Sequence, residues 1–174
     1  MLPKTYKLSL AATGASPWHV TNSKGAPFNI GFGCTMAGGG SGTYSVEHGF
    51  TDFAKQPCTI SRTTTTATMT LMNHGLKTGD SLNVQNAGAP LDGVYPVATV
   101  SDANTVTYTV ANSGVSASDP AAYVVPIRVF PHATVAGSTT SADSNYAFPV
   151  NCIRARVSSA GAGLLVFHVN QGQP

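Results

Sequence analysis

Charge is what this sequence of 174 residues lacks most. Only 9% of its residues are charged, whereas soluble domains have roughly a quarter. Ser, Thr, Asn and Gly stand where Lys and Glu are usual. Interspersed charge keeps protein surfaces apart, so we expect neighbouring subunits or partners to cover much of this surface. A secreted β-protein with a Ser/Thr-rich surface is the alternative.

Other shortages exclude further classes of protein. The net charge of +2 and the scattered basic residues predict no nucleic-acid partner. No apolar run approaches the roughly 20 residues that span a bilayer, so we expect no membrane association. The N-terminus lacks the apolar segment of a signal peptide, which favours folding in the cytoplasm. Cys34, Cys58 and Cys152 are odd in number and widely spaced, which indicates buried free thiols.

Helical periodicity is also missing, and short runs that alternate apolar and polar residues take its place. The clearest such region is residues 66–110, where four short strands are separated by Gly, Asp and Asn turns. The sequence therefore predicts an all-β fold: an antiparallel β-sandwich, jelly-roll-like, with an inserted small β-module. We expect residues 1–57 and 120–174 to form the sandwich and residues 58–119 to form an outward-projecting β-lobe.

Histidine and cysteine offer two candidate reactive sets. His48, His132 and His168 all lie in the predicted sandwich, but no ligand spacing relates them, and apolar alternation favours half-buried histidines. A nucleophilic pair of Cys152 with His48 lacks a third group to orient the base, which favours an inert thiol.

Aspartates recur at the turns of the predicted lobe. Asp80, Asp92 and Asp102 have no acidic neighbours, whereas calcium needs six to eight oxygen ligands, so turn formation is the preferred interpretation. We therefore predict no catalytic, metal-binding or cofactor-binding residues, and no enzyme.

Arg154 and Arg156 share one face of a predicted strand near the C-terminus. Guanidinium groups bind carboxylates through two parallel hydrogen bonds. The two arginines therefore either contact a carboxylate of a neighbouring subunit or lie on a solvated sheet face.

Three segments of the predicted lobe resemble a small β-module of tailed-phage structural proteins. They are residues 74–80 (HGLKTGD), 91–97 (LDGVYPV) and 102–108 (DANTVTY). Modules of this kind occur in capsid, tail and fibre components.

A second set of segments is similar to small phage β-proteins that decorate or cement capsids. These are residues 43–48 (TYSVEH), 131–134 (PHAT) and 141–150 (SADSNYAFPV), followed by the last two predicted strands. The chain departs from that pattern at residues 151–152 and 158–159. The family has no catalytic motif, so no site residues carry over.

The resemblance implies a capsid decoration or cement protein on the virion exterior, folded in the bacterial host cytoplasm. Its partners would be the major capsid protein and further copies of itself, as a symmetric dimer or trimer. Leu2, Tyr6 and Leu8 could contact a neighbour as an N-terminal arm whose removal, over residues 1–8, leaves the fold intact. The alternative is a tail or head-fibre component whose β-lobe binds the host cell surface. A hydrolase-like enzyme is disfavoured.

Overall fold

Strands form the regular structure of the chain. A computed structural model describes residues 4–23, 29–39, 41–88, 91–111 and 118–171, and none of these residues is helical. All the strand pairs given below are antiparallel, which confirms the predicted all-β fold. In chain order, the strands are β1 (Lys4–Leu10), β2 (Gly14–Ala15), β3 (His19–Val20), β4 (Ile30–Ala37), β5 (Gly42–Phe50), β6 (Gln56–Thr63), β7 (Thr66–Thr70), β8 (Ser81–Gln85), β9 (Gly93–Pro96), β10 (Thr99–Val100), β11 (Thr105–Thr109), β12 (Ser118–Pro131), β13 (Ala142–Tyr146), β14 (Cys152–Ala160) and β15 (Leu164–Gln171).

The chain divides into two compact units. The first unit consists of Met1–Phe50 and Phe130–Pro174, and the second consists of Thr51–Val129, so the second is inserted between two parts of the first. The second unit begins before residue 58 and ends after residue 119, so it is longer than the predicted lobe. This is because β6 starts at Gln56 and pairs with β12, whose residues as far as Val129 belong to the second unit.

The first unit is a β-sandwich. One sheet has the strand order β1-β15-β4-β13, which places the first and last strands side by side. In the other sheet β5 pairs with β14, and the short strands β2 and β3 pair with β14 as well. Both sheets contribute to one buried core, whose members include Ile30, Phe32, Tyr44, Val46, Tyr146, Ile153, Ala155, Leu165, Phe167 and Val169.

Alternation along the strands produces this core. Every second residue of a strand faces the same side, and in β15 the buried residues are Leu165, Phe167 and Val169. The hairpin from β14 to β15 passes close to the backbone of Ser41. A Cβ atom on Gly161 would overlap Ser41, which explains why a residue without a side chain occurs in this turn.

The strands of the second unit pair with one another and enclose a core of their own. The strand order is β10-β11-β7-β6-β12-β8-β9. The two ends of this sheet lie close together, since only Val97 and Ala98 separate β9 from β10 in the chain. The rings of Tyr95 and Tyr108 also lie 4.8 Å apart. The sheet therefore curls around a core that includes Ile60, Met69, Leu82, Leu91, Val106 and Val124.

Candidate functional site

The N-terminal residues predicted to contact a neighbour lie in an edge strand. β1 pairs with β15 over its whole length. Tyr6 and Leu8 are half-buried, and the Tyr6 ring stacks on His19 at 4.7 Å between centroids. Residues 4–10 therefore belong to the sandwich, and the contact of Tyr6 and Leu8 with a neighbouring subunit stays a prediction. Leu2 lies outside the described residues.

Arg154 binds a carboxylate of its own chain. Its Nε lies 2.7 Å from Oε2 of Glu47, the residue opposite it on β5. Its guanidinium carbon lies 4.2 Å from the ring centre of Trp18, a geometry that allows a cation–π contact. Only 5% of Arg154 and 8% of Glu47 are exposed. Burial lowers the pKa of Arg154, and the Glu47 carboxylate raises it again. Arg154 stays charged because the unperturbed pKa of arginine is above 12.

Arg156 lies two residues further along the same strand face and remains partly open. Its side chain is 40% exposed, and its Nη1 is 3.8 Å from Oε1 of Glu47. A single carboxylate thus lies beside two guanidinium groups, and Arg156 supplies the excess positive charge. A contact of Arg156 with a neighbouring subunit stays a prediction.

Aromatic side chains surround a buried histidine in the first unit. His48 is 8% exposed, and four rings lie with centroids 5.1 to 5.8 Å from its own, those of Phe50, Phe130, Tyr146 and Phe148. Its Nδ1 has no hydrogen-bond partner in the described part of the chain. Burial lowers the pKa of His48, and nearby His132 lowers it further.

His132 joins the same cluster. The His132 ring packs edge-on against Tyr146, with centroids 4.8 Å apart. Nδ1 of His132 accepts the Thr134 N–H, so Nε2 carries the proton and donates to the Asn145 carbonyl at 3.3 Å. His168 lies on the opposite face of β15 from the buried core residues. The three histidines considered as ligands therefore do not meet. Among the described residues, no group of three or more His, Cys, Asp or Glu could hold a metal ion.

The three cysteines are buried and form no disulfide among the described residues, as predicted. Burial raises the pKa of Cys34 and of Cys152 to about 12. Since the thiolate is the nucleophilic form, burial disfavours the reactive form of these two thiols at neutral pH.

Turn-forming aspartates of the second unit accept hydrogen bonds from backbone amides, as predicted. Asp80 is 1% exposed, and its two carboxylate oxygens accept the N–H groups of Lys77 and Val129, each at 2.9 Å. Asp92 accepts the Ala87 N–H at 2.8 Å, and Asp102 accepts the Asn104 N–H at 2.7 Å. The carboxylates therefore hold the loops of this unit in place.

His74, in the phage-like segment 74–80, forms hydrogen bonds within the second unit. Nδ1 of His74 accepts the Leu76 N–H at 2.9 Å, and its Nε2 lies 3.1 Å from the Asp102 carbonyl. Since Nδ1 is the acceptor, Nε2 carries the proton and donates. This bond joins segment 74–80 to segment 102–108.

A second buried arginine lies in the inserted unit. Arg62 on β6 is 4% exposed, and its Nε and Nη1 have no hydrogen-bond partner within the part of the chain that the structure describes. The sequence analysis did not single out Arg62, although it shares the buried face of β6 with Cys58 and Ile60.

Trp18 and Glu47, which both contact Arg154, were not singled out from the sequence. Glu47 falls on the polar side of the alternating run 43–50. The register that places it opposite Arg154 becomes visible only when β5 and β14 are paired. Trp18 lies in the link between β2 and β3, where no periodic pattern exists to orient it.

The comparisons with known proteins assign this chain to no family. No family model and no curated protein match this chain. Among solved structures, it is similar to the phage phi92 endosialidase, with 24% identity over 75% of this chain and a TM-score of 0.29. The matched part spans 13% of that protein's length. No helix in the described ranges is long and apolar enough to cross a membrane.

Proposed function

We propose that this chain is a structural protein of a tailed-phage virion, and that it binds the outer surface of the assembled capsid as a decoration or cement protein. The observation that best supports the proposal is that the three cement-like segments meet in the first unit. The Val46 carbonyl accepts the His132 N–H at 2.8 Å. The Tyr146 ring packs against both His132 and His48, at 4.8 and 5.1 Å between centroids. Segments far apart in sequence thus form one cluster of the sandwich, as a shared fold requires.

The inserted unit supports the same proposal. The polar residues that carry its resemblance to phage modules hold its loops together, as the contacts of His74, Asp80 and Asp102 illustrate. This is the behaviour of a structural module. In our proposal the protein acts by binding, without catalysis, and its partners are the major capsid protein and other copies of itself.

A capsid gives such a protein an advantage that a single binding site lacks. A shell offers many identical positions, and an assembly that engages several at once gains affinity by avidity. Modest polar contacts are then sufficient. A surface with few charges suits broad contacts of this kind better than one dominated by a charged hot spot.

The outer face of the second unit favours the alternative, a tail or head-fibre component that contacts the host surface. Exposed or half-exposed hydroxyl residues of β6 and β7 lie directly opposite each other in three pairs, Thr59↔Thr70, Ser61↔Thr68 and Thr63↔Thr66. β11 adds Thr105, Thr107 and Thr109 in register with β7. Tyr123, 40% exposed, lies opposite Pro57 on the neighbouring strand pair. An uncharged face of hydroxyl groups with an exposed aromatic ring suits a neutral glycan.

Reconstitution distinguishes the two roles. Capsids that lack the protein are mixed with increasing amounts of it, the capsids are sedimented, and the bound copies are counted. A decoration protein saturates at a fixed multiple of the major capsid subunit and raises the resistance of the shell to heat or low ionic strength. Uptake by host cells or tail particles, with none by capsids, would contradict the capsid proposal and support the alternative.

Matched variants locate the surface used. Thr68→Glu places a charge in the middle of the hydroxyl face of the second unit, and Arg156→Glu reverses an exposed charge of the first unit. If the first unit binds the capsid, Arg156→Glu weakens uptake and Thr68→Glu does not. The reverse pattern, measured with host cells, is expected for the fibre role.

A further inference from the structure

The four-stranded sheet of the first unit ends on both sides in a strand without a further neighbour. β1 is the outer strand on one side and β13 on the other, and within the described ranges no strand pairs with the outer side of either. An outer strand presents unpaired backbone N–H and C=O groups, which are a template for pairing with another chain. β1 is seven residues long and pairs with β15 without a register shift.

The two outer strands carry opposite charges. Lys7 is exposed in the middle of β1, and Asp143 is exposed in β13. In a chain with only 9% charged residues, the two lysines of β1 and the aspartate of β13 contribute much of the electrostatic character of these edges. Edge-to-edge pairing of β1 with a second β1, centred on this residue, would set Lys7 against Lys7. Pairing of β1 with β13 sets Lys7 against Asp143.

We propose that copies of this chain associate head to tail, with β1 of one copy pairing antiparallel with β13 of the next. Residues directly opposite in such a pair face the same side of the sheet. With Lys7 opposite Asp143 on the outer face, the half-buried Tyr6 and Leu8 lie beside Ser144 and Ala142, which are also half-buried. One register therefore matches charge on the outer face and burial on the inner face.

Part of the β13 edge is already covered, and this limits the contact. Nε2 of His132 lies 3.3 Å from the Asn145 carbonyl, and the Ala142 backbone hydrogen-bonds the Tyr44 side chain, so the open part of β13 lies between these two residues. A pair of strands this short is weak. Head-to-tail contacts accumulate along an assembly, which closes into a ring if the rotation between copies permits. The inference concerns association of copies in solution and does not depend on capsid binding.

Sedimentation velocity of the purified chain tests the proposal. We expect concentration-dependent association that weakens as salt is added, since exposed charges are screened. Lys7→Asp and Asp143→Lys each turn an opposite-charge pair into a like-charge pair and should weaken association by roughly tenfold. The double variant Lys7→Asp/Asp143→Lys restores the pair in reversed order and should recover association.

The controls separate this contact from general charge effects. Lys55→Asp makes the same change in net charge at an exposed residue of the second unit and should leave association unchanged. Far-UV circular dichroism and a urea midpoint confirm that each variant folds, and the neutral variants Lys7→Thr and Asp143→Ser replace any that does not. With the neutral variants, we expect a smaller loss of association than with the charge reversals.

Three outcomes would overturn the proposal. One is a single 17.8 kDa species at every concentration up to about 1 mM, where even weak contacts populate an assembly. Another is loss of association in Lys7→Asp but not in Asp143→Lys, which would show that Asp143 is not the partner of Lys7. The third is failure of the double variant to recover the association that both single variants lose.

Discussion

Removing the Arg154 side chain should destabilise the first unit strongly. Arg154→Met keeps a similar volume but leaves the Glu47 carboxylate, 8% exposed, without the guanidinium that lies 2.7 Å from it. Breaking a buried ion pair by removing one partner typically costs about 3–5 kcal/mol, because the remaining charge is desolvated and uncompensated. Loss of the contact with Trp18 adds about 0.5–2 kcal/mol. We therefore expect a loss of about 4 kcal/mol in the free energy of unfolding.

A double-mutant cycle isolates the ion pair. Glu47→Gln alone leaves the buried Arg154 without a counter-charge, whereas Arg154→Met/Glu47→Gln removes both charges and should cost less than the sum of the single changes. Arg156→Met is the matched control. It lies on the same strand face, but it is 40% exposed and 3.8 Å from Glu47, so its loss should cost at most about 1 kcal/mol.

The assay uses a reporter that the chain already contains. Trp18 is its single tryptophan and lies against Arg154, so urea unfolding followed by tryptophan fluorescence reports on the first unit. Losses below about 1 kcal/mol for both single variants, or single losses that simply add in the double variant, would refute the reasoning.

Three further predictions concern other buried groups. Asp80→Ala leaves the N–H groups of Lys77 and Val129 without their acceptor and should cost the second unit about 3 kcal/mol in a urea titration. Asp52→Ala, at an exposed loop residue, should cost little. Burial lowers the pKa of His48 below 6.5, so as the pH falls the unfolded chain binds a proton before the folded chain does. The contribution of His48 to the free energy of unfolding is therefore fully present above pH 6.5 and is lost as the pH falls through the folded-state pKa. His48→Phe should flatten this acid-side loss in urea midpoints measured between about pH 7.5 and pH 5; an unchanged slope would contradict it. All three cysteines should react slowly with a thiol reagent in the folded protein and quickly in urea, and fast labelling of the folded protein would show that they are not buried.

The fold class followed from the sequence because strand alternation is local. The alternation of Tyr44, Val46, His48 and Phe50 predicts that they share one face of β5, and the first three are buried, whereas Phe50 is 39% exposed. The turn-forming role of aspartates was also predictable, since Asp92 and Asp102 accept hydrogen bonds from nearby backbone N–H groups.

The sequence did not predict which distant segments pair with each other. The Glu47–Arg154 ion pair joins residues 107 apart in sequence, whereas the sequence predicted either a carboxylate of a neighbouring subunit or a solvated sheet face for Arg154. The N-terminal strand was expected within the sandwich, but nothing in residues 4–10 identifies β15 as its partner. Apolar alternation indicates that a strand has a buried face, but it does not indicate which strand pairs with it.

The most direct test of the central claim is a difference map between phage particles that contain the protein and particles whose gene for it is deleted. Our account predicts extra density on the outside of the head, repeated at equivalent positions of the shell. Density confined to the tail or to fibres would contradict the capsid assignment in favour of the alternative. Particles that are identical with and without the gene would contradict a structural role in the virion altogether.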